Sequence, residues 1–228
     1  GMQNLSKEGF SLKSNTKATL NSPRVFKTGD IMYDNSLYFA KISAKRTSIV
    51  TTLNLDEGDF ILCTVHRDSN TDQRTNLENI VRGLLRIQQI SEQKVVLPLH
   101  PRTKKKMEEL LPTDLFKTLH ENPYVFIIEP AGFLDMIALE SLCSMVITDS
   151  GGVQKEAFFF EKPCIILREQ TEWVEIVSNG NALLVGSDEE KLVTAYQKLR
   201  STKDFTYPAF FGDGHASEEI CRLMLQYL

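Results

Sequence analysis

One stretch of this 228-residue sequence carries the residue types needed to hold an anion beside a sugar. It reads Thr148-Asp149-Ser150-Gly151-Gly152-Val153-Gln154-Lys155-Glu156. An apolar run ends in Ser-Gly-Gly, and a helical pattern follows at once. Adjacent glycines let a backbone come close to a ligand, and the first turn of a helix offers unpaired N–H groups to negative charge. Ser150 adds a hydroxyl donor, so the set suits a diphosphate. Glu156 lies about one turn beyond Gly152. A carboxylate there repels phosphate but accepts both hydroxyls of a ribose. The competing reading is a plain strand-to-helix turn that uses glycine only for tightness. Neither G-x-G-x-x-G after the first strand nor G-x-x-x-x-G-K-[ST] occurs, which demotes dinucleotide oxidoreductases and P-loop nucleotidases. A nucleotide-sugar site remains.

Other polar pairs close apolar runs: His66-Arg67, His100-Pro101, Glu129-Pro130 and Arg168-Glu169. Arg67 can anchor structure or phosphate. His66 can face a cleft or serve as a satisfied structural residue, and His100 repeats its arrangement at the next run. Arg168 supplies a further cation. Gathered at one edge, such groups attract anions locally even though the net charge is −4.

Positioning them falls to an alternating pattern. Strands are predicted at 60–65, 94–99, 125–128, 145–148, 164–167 and 182–185, each almost continuously apolar, as strands covered on both faces are. Helices are expected from Asn76 to about Ile90, from Leu110 to about Leu119 with an interruption at Pro112, and over 133–142 and 152–160. Three more are expected from about Thr171 to Ser178, over 189–199 and over 215–228. This order predicts the α/β class, a Rossmann-like parallel sheet wound in both directions by right-handed crossovers. Ligands of such sheets sit at the carboxyl ends of strands, near the point where strand order reverses. The polar pairs fall at those ends. Upstream, residues 1–23 are polar with weak periodicity, residues 24–29 read as a short strand, and Asp30 reads as the cap of a helix to about Ala44.

Hydrophobic residues make up 42% of the chain and charged residues 25%, enough for a sizeable core and unlike a disordered polymer. The basic cluster Arg102, Lys104, Lys105, Lys106 runs straight into Glu108 and Glu109. That reads as a solvated helix face, and no nucleic-acid partner is expected. No run reaches the roughly 18 apolar residues of a membrane span, and no signal peptide is visible. Gly1 ahead of Met2 reads as a residue left by cloning. Cys63, Cys143, Cys164 and Cys221 lie far apart in apolar patterns and are expected to be buried, reduced thiols. A cytoplasmic location is expected, with no metal site and no cofactor.

Several motifs recur in a telling order: Thr64-Val65-His66-Arg67, Leu99-His100-Pro101, the 149–156 stretch, Arg168 with Thr171-Glu172 and Glu175, Gly180-Asn181, and Gly212-Asp213-Gly214-His215-Ala216. The set resembles the non-hydrolysing UDP-N-acetylglucosamine 2-epimerases over about residues 24–216. Residues 29–34 and 171–175 are similar to the branch acting on UDP-sugars for surface polysaccharide, which includes epimerases of 2,3-diacetamido uronic acid sugars. The resemblance implies the C-terminal half of a glycosyltransferase-B type fold, in which two Rossmann-like domains flank a cleft. It implies that Ser150, Gly151 and Gly152 hold the diphosphate, Glu156 the ribose, and the neighbourhood of Ala131, Phe133 and Met136 the uracil. His66 matches the active-site histidine beside the diphosphate, and Arg168 a substrate-contacting arginine. Arg67 and His100 join the substrate-binding set at the neighbouring strand ends. The implied reaction eliminates UDP to leave a 2-acetamidoglucal, then adds it back after protonation of the other face at C2.

The chain also departs from that pattern. Two residues after His66-Arg67 the family commonly has glutamate, where Asp68-Ser69 stands here. The family's acid/base carboxylates and a basic phosphate-binding loop come from the N-terminal domain, of which only the tail is matched. Residues 1–46 are therefore expected to be that tail and a linker, and 47–228 the UDP-sugar-binding domain. The chain alone is expected to be inactive, because deprotonation at C2 needs a positioned base. The expected partners are a UDP-sugar and either a second copy or a missing N-terminal domain. A glycosyltransferase-B donor domain and a non-catalytic UDP-sugar-binding module are the alternatives. His66-Arg67 together with Asp149–Gly152 favours the epimerases.

Overall fold

The computed structural model describes residues 1–12, 18, 19 and 23–227. These fall into two compact units, Ser36–Pro208 on one hand and Gly1–Asn35 with Ala209–Leu228 on the other. The elements in chain order are α1 (Met2–Lys7), α2 (Ile31–Arg46), α3 (Ile49–Thr52), β1 (Phe60–Thr64), α4 (Asp68–Thr71) and α5 (Arg74–Ser91). They continue with β2 (Lys94–Pro98), α6 (Pro101–Leu110), α7 (Thr113–Glu121), β3 (Val125–Ile128), α8 (Phe133–Leu142) and β4 (Met145–Thr148). Last come α9 (Gly151–Phe159), β5 (Cys164–Ile166), α10 (Val174–Ser178), β6 (Ala182–Leu184), α11 (Glu189–Ser201) and α12 (Ala216–Tyr227).

The larger unit holds a six-stranded sheet in the order β3-β2-β1-β4-β5-β6. Every adjacent pair is parallel. The Rossmann-like sheet read from the sequence is present. Alternate residues of a strand face opposite sides, and β1 shows what that demands. Ile61, Cys63 and Val65 join one apolar cluster with Leu77, Ile80 and Leu84 of α5 and Leu192 of α11. Phe60 and Leu62 point the other way and are equally buried. Both faces are covered, so the strand has no polar side. On the first face α5 and α11 pack at Gly83, where an added methyl would stand 2.6 Å from Leu192 Cδ2. Glycine is what lets the two helices approach so closely.

Helices α1, α3 and α4 are not among those expected, nor are the bounds of α6, and four further details differ from the sequence expectations. Residues 24–29 form no strand. Within the smaller unit the Asp30 N–H donates to Phe211 O at 2.8 Å. Gly29 and Gly212, both at positive φ, lie so close that a methyl on Gly212 would come within 2.9 Å of Gly29 Cα. The segment lies against another irregular chain and joins no ladder. Residues 110–119 belong to two helices. Leu111 adopts φ −73°, ψ 145°, as the residue before a proline tends to, and Pro112 caps α7. The helix expected from Thr171 starts at Val174, because the Thr171 hydroxyl instead accepts from Trp173 N and donates to Gln154. Cys63, Cys143 and Cys164 are buried, but Cys221 is exposed on α12. Helical periodicity placed Cys221 on a helix without fixing what that face meets. Burial pushes the Cys143 thiol up to about 12, and Cys63 and Cys164 move the same way. Among the described residues no helix is long and apolar enough to cross a membrane.

Candidate functional site

Strand order reverses between β1 and β4, which lie side by side. Their last residues, Thr64 and Thr148, are in register and share a hydrogen bond between hydroxyls at 2.6 Å. Just beyond, the fully buried Asp149 gathers the loop after β1. Its carboxylate accepts from the backbone of His66 at 3.1 Å and of Arg67 at 3.0 Å, and from Asn70 Nδ2 at 3.0 Å. His66 Nδ1 lies 3.0 Å from Asp149 Oδ1, while Arg67 Nε donates to Asp149 O at 2.8 Å. Asn70 also reaches Leu167 O beyond β5 at 3.0 Å. Asp149 and Asn70 together thus tie three strand ends.

Charge follows geometry. Burial alone would raise the Asp149 pKa, but the hydrogen bonds from His66, Arg67 and Asn70 outweigh it and hold the carboxyl below its ordinary value. The same hydrogen bond raises His66, against a smaller opposing effect of burial. His66 is therefore oriented at one ring nitrogen while its side chain stays 54% exposed. An anchored, half-open imidazole can meet a ligand.

Ser150 starts α9. Its N–H donates to Thr148 Oγ1 at 2.9 Å, and its own hydroxyl accepts from Val153 N at 3.5 Å. Gly151 and Gly152 form the first turn, whose N–H groups are the unpaired ones of any helix start. Beside that turn, Arg168 pairs with Glu172 through two bonds of 2.8 Å. Trp173 Nε1–H donates to Gly151 O at 2.7 Å, and the Lys155 ammonium lies 4.4 Å from the Trp173 ring. His66, Arg67, Ser150, Gly151 and Arg168 are thus brought together.

Glu156 follows on α9, half-buried. Burial pushes its carboxyl up, and Lys155 draws it partly back. Glu140 on α8 is buried more deeply and is pushed well up, first by burial and then by the Glu156 charge. Its Oε2 has no hydrogen-bond partner among the described residues. The remaining predicted residues lie on other elements. His100 caps α6, its Nδ1 accepting from Arg102 N at 3.3 Å. Ala131 precedes α8 and Met136 lies on it, both partly exposed. Phe133 meets Phe39 edge to face at 5.0 Å and lines a cavity of about 520 Å³ with Tyr38 and Ile42 of α2.

Sequence reasoning gave no role to Asp149, Asn70 or the Thr64–Thr148 pair. The available signal was a run of polar side chains right after near-continuous apolar strands, where each must find a partner or reach solvent.

An open, parallel, doubly wound sheet with an anion-ready helix start at its switch point defines a Rossmann-like α/β domain. A sequence model of the UDP-N-acetylglucosamine 2-epimerase family matches residues 2–225. The chain is 40% identical over 201 residues to a UDP-N-acetylglucosamine 2-epimerase homolog of Methanococcus maripaludis, covering 88% of this chain and 54% of that protein. It is 39% identical over 224 residues to the UDP-2,3-diacetamido-2,3-dideoxy-D-glucuronate 2-epimerase of Pseudomonas aeruginosa, covering 98% and 56%. The solved UDP-GlcNAc 2-epimerase of Methanocaldococcus jannaschii superposes with a TM-score of 0.84 at 35% identity, over 98% of this chain and 59% of that one. Its complex with UDP-GlcNAc and UDP gives 0.80 at 35% identity, over 99% and 58%. The chain belongs to the UDP-N-acetylglucosamine 2-epimerase family, and it spans about half the length of the curated relatives it matches.

Proposed function

We propose that this chain is the nucleotide-sugar-holding part of a UDP-sugar 2-epimerase. Ser150, Gly151 and Gly152 hold the diphosphate, Glu156 accepts the ribose hydroxyls, and the uracil lies near Ala131, Phe133 and Met136. His66 acts beside the diphosphate as the catalytic group, with Arg67, His100 and Arg168 contributing to substrate binding. The observation that carries this reading is the Ser150–Gly152 helix start, set where strand order reverses and tied through Asp149 to the His66 imidazole. The complex of the Methanocaldococcus jannaschii relative with UDP-GlcNAc and UDP supports the choice of ligand.

In this reading the reaction interconverts gluco and manno UDP-2-acetamido sugars by loss and re-addition of UDP. Holding both phosphates while the glycosidic C–O bond breaks keeps the leaving group in place for its return. The base that takes the C2 proton belongs to another part of the active site, and residues 1–46 are the edge of that part. Calorimetric titration with UDP, run beside an epimerisation assay, tests the assignment. Binding without turnover is expected. Turnover by these 228 residues alone would refute the division of labour, and absence of UDP binding would refute the site.

A further inference from the structure

Arg168 meets Glu172 with both terminal nitrogens, each 2.8 Å from one carboxylate oxygen. That two-pronged geometry is the one a guanidinium offers to carboxylate and phosphate alike. The pair stands at the candidate site itself. A methyl placed on Gly151 would lie 3.6 Å from Glu172 Oε2 and 3.9 Å from Arg168 Nη1. A carboxylate of the protein therefore sits against the first residue of α9, where free N–H groups favour negative charge.

The two partners differ in freedom. The Arg168 side chain is 11% exposed and that of Glu172 55%. The cation is set into the wall, and the anion stands largely in water. A two-pronged pair is stronger than an ordinary exposed ion pair, so a ligand that takes Arg168 must offset its loss. The neighbours of Glu172 are fixed, since Thr171 is tied to Gln154 at 2.6 Å and Trp173 to Gly151 O. Only the Glu172 side chain has to move for Arg168 to be released.

We propose that Glu172 is a resident competitor for the diphosphate and so determines specificity at this site. It holds the Arg168 guanidinium and yields it to a ligand group that offers two charged oxygens at once. A neutral hydroxyl cannot replace a carboxylate on a guanidinium, so the device selects nucleoside phosphates against uncharged nucleosides and sugars. The inference rests on the reading of Ser150–Gly152 as the diphosphate site and adds which group must leave when that site fills.

The test is calorimetric titration of the 228-residue chain with uridine, UMP and UDP, in wild type, Glu172→Gln, Glu172→Asp and Glu156→Gln. The Arg168 Nε–H resonance is followed in parallel. Glu172→Gln should tighten UDP about tenfold, the scale of one strong charge-assisted contact. It should leave uridine within about twofold, because no charge is in play. Glu172→Asp, which keeps the charge, should stay near wild type. The Arg168 resonance should shift with UDP and not with uridine. If Glu172→Gln binds UDP no tighter while Glu156→Gln weakens it, the diphosphate site stands and the competition is refuted. If neither wild type nor Glu172→Gln binds UDP at millimolar concentration, the underlying site reading fails and this inference with it. Should Glu172→Gln melt more than about 5 °C below wild type, the wild-type arginine resonance decides, and its indifference to UDP would overturn the proposal.

Discussion

Asp149 shows how one buried carboxylate can organise a ligand edge. Asparagine there keeps one acceptor oxygen, removes the charge, and turns an NH2 donor towards part of the set of His66, Arg67 and Asn70 N–H groups that now donate to the carboxylate. Asp149→Asn should destabilise the fold by about 3 kcal/mol, as loss of a buried charge partner does, and chemical denaturation measures it. His66 is raised by this contact, so its contribution is complete below about pH 6.5 and lost as pH rises through its higher folded value. Asp149 is depressed, so its contribution is present above about pH 3.9 and lost as pH falls through its lower folded value. Both act together between those limits. Proton resonance titration of His66 in Asp149→Asn should show its midpoint falling towards the ordinary histidine value; an unchanged midpoint would show that the contact does not set it. Gly151→Ala separates binding from folding. The new methyl meets only ordinary contact distances, so the melting temperature should stay within about 2 °C. UDP affinity should fall roughly tenfold as the methyl blocks close approach to the helix start. Equal UDP affinity would place the diphosphate elsewhere.

Elements were legible where burial is two-sided. β1, β2 and β4 are almost unbroken apolar runs, because helices cover both sheet faces, and their positions could be read to within a residue or so. Where contacts between irregular segments decide, periodicity misleads, as at residues 24–29. Pro112 was seen as an interruption, yet its consequence was two separate helices, because Leu111 turns extended. The α5–α11 contact supplies an element-scale prediction. Leu192→Ala removes a fully buried side chain and should cost about 3 kcal/mol. Adding Gly83→Ala to that variant should recover about 1 kcal/mol, since the methyl enters vacated space and favours the helix. No recovery in a double-mutant cycle would mean that the helices do not meet as described.

At the scale of the molecule, the two compact units differ in how they cover apolar surface. The larger has a closed apolar interior. The smaller exposes Met224, Leu225 and Tyr227 on α12, with Leu225 82% exposed. Apolar side chains gathered on one short helix tend to be covered in the working protein. The chain is therefore expected to self-associate, and light scattering over a range of concentrations should show the apparent mass rising. A constant monomer mass would remove that expectation and leave the UDP site untouched.

By itself the sequence determined the α/β class, the positions of the six sheet strands and the helix start at Ser150–Gly152. Each rests on local pattern: apolar runs, helical periodicity, and the conformational freedom and small size of paired glycines. Which strand ends meet was decided only by the tertiary structure. Strand order comes from crossovers spanning tens of residues, and this order sets Thr64 beside Thr148, 84 positions apart. The assembly of His66 and Asn70 around the Asp149 carboxylate, with Asn70 reaching on to Leu167 O, follows from that order. So does the placing of Glu172 against Gly151, since the sequence sets Glu172 in a motif with Arg168 but not beside the α9 start.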